Sequence, residues 1–109
     1  MPLNKETRKK FRSIGHHLNP VVIVANGLTE NVLAEINRAL TDHELIKIRI
    51  VTEDRESRKL LIAEICQTVQ AELVQVIGKI ALIYRKATEQ KPHLSNIQRH
   101  LKKDTGIQG

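Results

Sequence analysis

The run Asn19-Pro20-Val21-Val22-Ile23-Val24-Ala25-Asn26-Gly27-Leu28-Thr29-Glu30 leaves this chain few ways to fold. Val21 to Val24 are all apolar, the pattern of a strand covered on both faces or nearly so. Asn26-Gly27 makes a tight turn, because glycine takes a positive φ at little cost. Thr29 is a natural N-cap, and Glu30 complements the helix dipole in the first turn. Val32, Leu33, Ile36, Ala39 and Leu40 then keep one helical face apolar. The run therefore predicts a strand, a turn and a helix start. Free backbone N–H groups and the positive end of the dipole converge there, which suits an anion such as phosphate.

The neighbouring segments extend this unit. Residues 5–17 predict a helix with Phe11, Ile14 and Leu18 on one stripe and Lys5, Lys9, Arg12 and His16 on the opposite face. From Glu44 to Val51, Ile46, Ile48 and Ile50 alternate with Lys47 and Arg49, which predicts a half-buried strand with a basic outer side. Thr52-Glu53-Asp54 opens a further helix whose core face is Leu61, Ile62, Ile65 and Val69. Leu73 to Ile77 and Ile80 to Tyr84 read as two strands joined by Gly78-Lys79, a hairpin with glycine at the first turn position. A strand–helix–strand crossover is right-handed and parallel, whereas the hairpin is antiparallel. The expected fold is α/β: a small mixed four-stranded sheet with three helices packed on one face. The other face would be partly open, carrying Lys47, Arg49 and Gln75. The domain spans 1–86. Residues 87–109 form a basic tail, either mobile until a partner orders it or bearing a short amphipathic helix of Leu94, Ile97 and Leu101 capped by Ser95.

Charge narrows the partner. The net charge is +6, but residues 1–12 hold a net +4 and residues 86–109 a net +3, around a body of net −1. Basic ends on a near-neutral body fit a polyanionic partner, nucleic acid first, although a net charge also serves solubility. Phe11 and Tyr84 are the whole aromatic complement, which disfavours recognition by stacking bases on surface rings. Apolar runs are far shorter than the roughly 20 residues that span a bilayer, so no membrane role is expected. The single cysteine, Cys66, excludes an intrachain disulfide and a cysteine-based zinc site, and a cytoplasmic location fits. The charged N-terminus lacks the apolar core of a secretory signal.

Catalytic chemistry finds little support. His16 and His17 are adjacent, His43 stands alone, and His93 and His100 lie in the tail, none at a metal-ligand spacing. Glu53, Asp54 and Glu56 could serve a magnesium nuclease, but helix-start electrostatics explains them without further assumptions. Cys66 sits at the edge of an apolar helix face and reads as a small packed residue. No phosphate-binding glycine motif of nucleotide hydrolases or dinucleotide enzymes is present. The expectation is a non-enzyme without cofactor or metal. Its candidate contact residues are Lys9, Arg12, Asn26, Gly27, Lys47, Arg49, Lys79 and Arg85.

Taken in order, Leu18-Asn19-Pro20-Val21-Val22, Asn26-Gly27-Leu28-Thr29-Glu30-Asn31-Val32, His43-Glu44-Leu45-Ile46-Lys47-Ile48, Thr52-Glu53-Asp54-Arg55-Glu56, Val76-Ile77-Gly78-Lys79 and Leu82-Ile83-Tyr84-Arg85 resemble the bacterial YhbY family, the stand-alone form of the CRM domain. The resemblance runs from about residue 5 to 86 and leaves the tail outside. It implies a fold similar to the C-terminal domain of translation initiation factor three. It also implies RNA binding without catalysis and association with precursors of the large ribosomal subunit. In the family, a GxxG loop similar to that of KH domains is thought to contact the RNA backbone. Here Gly27 matches the second glycine, the first is missing, and the loop is one residue shorter, with Ala25 nearest the vacant place. Either the loop has another shape or its backbone approaches RNA less closely.

The expected function is thus that of a monomeric, cytoplasmic RNA-binding protein acting on ribosomal RNA in large-subunit precursors. Lys9, Arg12, Lys47 and Arg49 are expected to matter more than the loop. The alternative is a protein-binding module that uses Leu94, Ile97 and Leu101 of the tail as anchors. A nuclease using Glu53 and Asp54 is the third reading.

Overall fold

A computed structural model describes residues 3–105, with side chains through His100. The elements are α1 (Lys5–Gly15), β1 (Pro20–Val24), α2 (Glu30–His43), β2 (Leu45–Ile50), α3 (Arg55–Val69), β3 (Glu72–Ile77), β4 (Ile80–Tyr84) and α4 (Asn96–Thr105). The four strands form one mixed sheet in the order β1-β2-β4-β3. β1 and β2 are parallel, joined through α2, and β4 inserts antiparallel between β2 and β3. Gly78 adopts φ +56° in the β3–β4 turn, as a hairpin turn led by glycine requires.

Local chemistry sets the helix boundaries. Asn4 caps α1 by accepting from Thr7 N at 2.7 Å. Thr29 caps α2 by accepting from Val32 N at 3.2 Å, and Asp54 caps α3 by accepting from Ser57 N at 2.7 Å. α3 ends at Gln70, in left-handed geometry with φ +56° and ψ +46°.

The expectation that the three helices share one face is corrected. Val22, Val24, Ile46, Ile48, Ile50, Ala81 and Ile83 form one core with Ile36 and Leu40 of α2 and Ile62, Ile65 and Val69 of α3. Leu45, Val74 and Leu82 form a second core with Phe11 and Ile14 of α1, to which Ile97 of α4 and Tyr84 add. The reason lies in β4. Ala81 and Ile83 point to one side while Leu82 and Tyr84 point to the other, so both faces of this central strand need cover. β1 shows the converse. It is an edge strand, Val22 and Val24 are buried, but Val21 is 51 % and Ile23 60 % exposed, so it is covered on one face rather than two.

The second correction concerns residues 87–100. Instead of standing apart as a tail, they pack on the domain around one carboxylate. Glu44, at the end of α2, is 1 % exposed and holds φ +64° and ψ −48°, a conformation that side-chain-bearing residues rarely adopt. Its Oε2 accepts from Ala87 N at 2.8 Å and from Gln90 Nε2 at 3.3 Å, and its Oε1 accepts from Ser95 Oγ at 2.6 Å. Asn96 Nδ2 donates to the Leu45 carbonyl at 2.7 Å, and Lys91 Nζ pairs with Asp42 at 2.6 Å. Ser95 also accepts from Gln98 N, so it caps α4 as expected. The side chain of Leu101 and residues 106–109 lie outside the described residues.

Candidate nucleic-acid interface

α1 lies across the sheet on its second face, and the packing fixes which flank looks where. Gly15 is pressed on the sheet: a Cβ there would lie 2.6 Å from Leu82 Cδ2. Arg8 donates to the main-chain carbonyls of Leu73 and Val74, where β3 shifts register against β4. The flank bearing Ser13, Ile14 and His17 instead lines a cavity shared with α4. At about 100° per residue, Arg12 projects on the same flank as Arg8 and Gly15, towards the part of the sheet that α4 leaves uncovered. Lys5, Lys9 and His16 follow on the outer side of that flank, all exposed.

Lys47 and Arg49 occupy this open part of the sheet, as the alternation in β2 requires. Leu45, next in that parity, is buried under α1; Lys47 is half-buried and Arg49 exposed. Lys47 lies beside Leu82, which lies beside Gln75. Arg49 is flanked by Ile23 on one side and Ile80 on the other, and Ile80 by Ile77. Arg49 is therefore set among exposed aliphatic side chains, Lys47 in a row with the buried Leu82 and the polar Gln75, and no acidic strand residue lies in these two rows. Among the described residues the ion pair is Lys91–Asp42, and none of Lys9, Arg12, Lys47, Arg49 and Lys79 takes part in it.

Asn26, Gly27 and Lys79 lie at one end of the sheet. Val51 N donates to the Val24 carbonyl at 2.9 Å and Ile50 N to the Lys79 carbonyl at 2.7 Å, which ties the β1–α2 loop and the hairpin turn to the end of β2. Helices α2 and α3 both start there. Gly27 takes φ +80°, with open space where a Cβ would stand. Ala25 stays out of the positive-φ region, so the shortened loop needs glycine at one position only. This settles why alanine is tolerated at the place of the missing glycine.

Arg85 is different. Its guanidinium donates to Asn37 Oδ1 at 2.8 Å, to the Asn37 carbonyl at 3.0 Å, to Thr41 Oγ1 at 3.0 Å and to the Val69 carbonyl at 3.0 Å. Desolvation lowers its pKa from the usual value. It closes the ends of α2 and α3 on β4 and has its donor fork committed inside the protein. Sequence reasoning passed over Arg55, Arg58 and Lys59, which line a groove of about 510 Å3 with Leu73, Val76 and Gly78. Their i, i+3, i+4 spacing was the available signal.

The groups proposed for chemistry are quiet. Burial pushes the Cys66 thiol up to about 11, with Glu72 adding to the effect. Asp54 is held below the usual carboxylate range by the backbone and side-chain hydrogen bonds of Ser57, as a cap should be. No group of three or more metal-ligating side chains comes together among the described residues.

Residues 3–85 match the CRS1/YhbY (CRM) domain family. The chain belongs to this family. As a CRM domain it is 55 % identical over 100 residues to the Pseudomonas aeruginosa protein named "Probable RNA-binding protein PA4753", covering 91 % of this chain and 96 % of that one. It is 45 % identical over 93 residues to a Haemophilus influenzae protein named "RNA-binding protein", covering 84 % and 94 %. The solution structure of the Staphylococcus aureus protein SAV1595, titled as a candidate RNA-binding protein, superposes with a TM-score of 0.71 at 31 % identity, over 82 % of this chain and 94 % of that one. The mixed α/β fold expected from the sequence is thus the fold of this CRM domain and of its solved relative. The match stops at residue 85, so Glu44 belongs to the matched region while its partners Ala87, Gln90 and Ser95 lie beyond it.

Proposed function

We propose that this CRM domain binds RNA, without catalysing a reaction on it, through the open half of its sheet and the adjoining basic stripe of α1. The carrying observation is that Lys47 and Arg49 share the open half of the sheet, in strand rows that hold no acid; helical spacing turns the Arg12 flank of α1 towards them. Lys9 extends that surface outward, while Asn26, Gly27 and Lys79 prolong it to the end of the sheet, where two helix N-termini add positive potential. Arg85 is left out because its donors are spent. The names of the relatives support RNA as the polyanion. The family resemblance favours ribosomal RNA in precursors of the large subunit; the single cysteine fits a cytoplasmic location, and the binding unit proposed is the monomer.

Binding of this kind releases counterions, so the logarithm of affinity should fall with the logarithm of salt by roughly 0.7 per single-strand phosphate neutralised. Replacing Lys47 and Arg49 together by Ala should weaken binding and reduce that slope by about 1 to 2. Both side chains reach solvent, so the melting temperature should stay within a few degrees of wild type. Unchanged affinity and slope in the double variant would refute this surface. The ribosomal part is tested separately, by sedimenting cell extract through sucrose at two salt concentrations. Co-migration with a particle no larger than the large subunit, lost at high salt, supports it; residence at the top of the gradient in low salt refutes it.

The alternative of a protein-binding tail loses its central anchor, since Ile97 packs into the second core with Phe11 and Leu82.

A further inference from the structure

A cavity of about 640 Å3 opens between α1 and α4, bounded by the start of β1 and the end of α2. That is within the range of small-molecule sites. His17, His43, His100 and Arg99 line it, and no carboxylate does among the described residues. Two of the three imidazoles are fixed. His43 Nδ1 lies 2.8 Å from the Leu94 carbonyl and His100 Nδ1 lies 2.8 Å from the Asn96 carbonyl. A carbonyl only accepts, so each Nδ1 carries the hydrogen and each Nε2 is left as the ring's uncommitted polar atom. The His17 and His100 rings stack with centroids 6.0 Å apart. Ile14, Leu18 and Val21 supply an apolar wall.

We propose that this cavity binds a phosphate monoester bearing a flat or apolar group, the chemistry of a nucleoside monophosphate. Arg99, exposed on α4, supplies a permanent cation with a fork that matches phosphate oxygens. An imidazole that donates from Nδ1 meets a phosphate oxygen through Nε2 only with a proton between them. A monoester, with a second ionisation near pH 6, presents up to two charges and three terminal oxygens at neutral pH, so it can meet Arg99 and an imidazole at once, whereas a phosphodiester offers one charge and two such oxygens. The rings and the aliphatic wall take the organic part. The site lies outside the surface proposed for RNA and does not depend on it. Its ligand could be a free nucleotide or the phosphorylated end of an RNA.

The test is a titration of the full chain, followed by amide chemical shifts, with inorganic phosphate, AMP, a 5′-phosphorylated tetranucleotide and its 5′-hydroxyl counterpart. Saturable shifts around Leu18, Asn19 and Leu94 are expected with the phosphorylated probes. They should weaken by about tenfold in Arg99→Gln, which removes the guanidinium from an exposed position without loss of fold. Binding of both AMP and the phosphorylated oligonucleotide would support the site with free nucleotide as a source. Binding of the phosphorylated oligonucleotide alone would support it with an RNA end as the source. Equal shifts with the 5′-hydroxyl oligonucleotide, no saturation by any phosphate at millimolar concentration, or an Arg99→Gln variant that binds as wild type would each overturn it. Lys47→Ala/Arg49→Ala should leave AMP binding intact, which separates failure of this site from failure of the RNA surface.

Discussion

Glu44 offers the sharpest test of how this fold is held together, because backbone strain and hydrogen bonding meet in one residue. Its carboxylate satisfies two buried donors, Ala87 N and Ser95 Oγ, besides Gln90 Nε2. Hydrogen bonds to a charged group contribute about 1.5–3 kcal/mol each, and removing the acceptor leaves buried donors with no partner. Glu44→Ala should therefore cost about 3–5 kcal/mol. Glu44→Gln should cost far less, about 1 kcal/mol, since a turned amide still accepts from Ala87 N while its NH2 group donates to a Ser95 hydroxyl free to rotate. Glu44→Gly loses the same acceptor as alanine but relieves the backbone at φ +64°, so it should be more stable than Glu44→Ala by about 1 kcal/mol. Urea unfolding of the three variants, with the m-value checked for constancy, reads these differences directly. The reasoning fails if alanine and glutamine are equally damaging, or if glycine is no better than alanine.

Three further outcomes follow from contacts already described. Arg85→Ala should destabilise the domain by about 2–4 kcal/mol through loss of its bonds to Asn37, Thr41 and Val69. Arg85→Lys should recover little, because an ammonium cannot reach all four acceptors; thermal melts of the two variants check this. Asp42 and Asp54 both have folded pKa values below the ordinary 3.8, the first through the Lys91 hydrogen bond and the second through Ser57. Their contribution is present above that value and lost as pH falls through the lowered one, so stability should drop on the acid side. Asp54→Asn, which caps without titrating, should flatten that drop in melting temperature measured against pH. Cys66, with a thiol at about 11 and packed beside the core, should resist thiol-reactive disulfide reagents at neutral pH in the folded protein. It should react promptly once urea unfolds the chain; rapid reaction of the native state would contradict the burial.

The legible parts of this fold are those set by neighbours in sequence. β2 could be read because Ile46, Ile48 and Ile50 alternate with Lys47 and Arg49, and that one pattern also placed two cations on the open surface. Thr29 and Ser95 could be read as caps because capping spans three residues; Thr52-Glu53-Asp54 showed that a helix starts there, but the cap falls on its last residue, Asp54. What escaped was set across distance. Periodicity says which side of α1 is apolar, but not which face of the sheet receives it. Leu82 and Tyr84 carried that information, since a central strand apolar on both sides needs two covering layers. The exposure of Val21 and Ile23 depended on β1 taking an edge, which the apolar run itself does not encode. Arg85 looked like a contact residue because its partners Asn37 and Thr41 lie more than forty positions away. The docking of 87–100 was hidden for the same reason, and so was the cavity it completes. The three histidines come to line one cavity only when α4 folds back on α1.

That return of α4 onto α1 has a consequence for the order in which the molecule takes shape. During synthesis α1 emerges first, yet part of its cover emerges roughly eighty residues later. The layer of α2 and α3 draws on residues up to Ile83 and can close once β4 is made. The layer of α1 must wait for Ile97, which follows the segment that Ala87 and Ser95 tie to Glu44, so its apolar side stays partly uncovered while the chain grows. The side of the sheet that carries Lys47 and Arg49 is thus the side completed last.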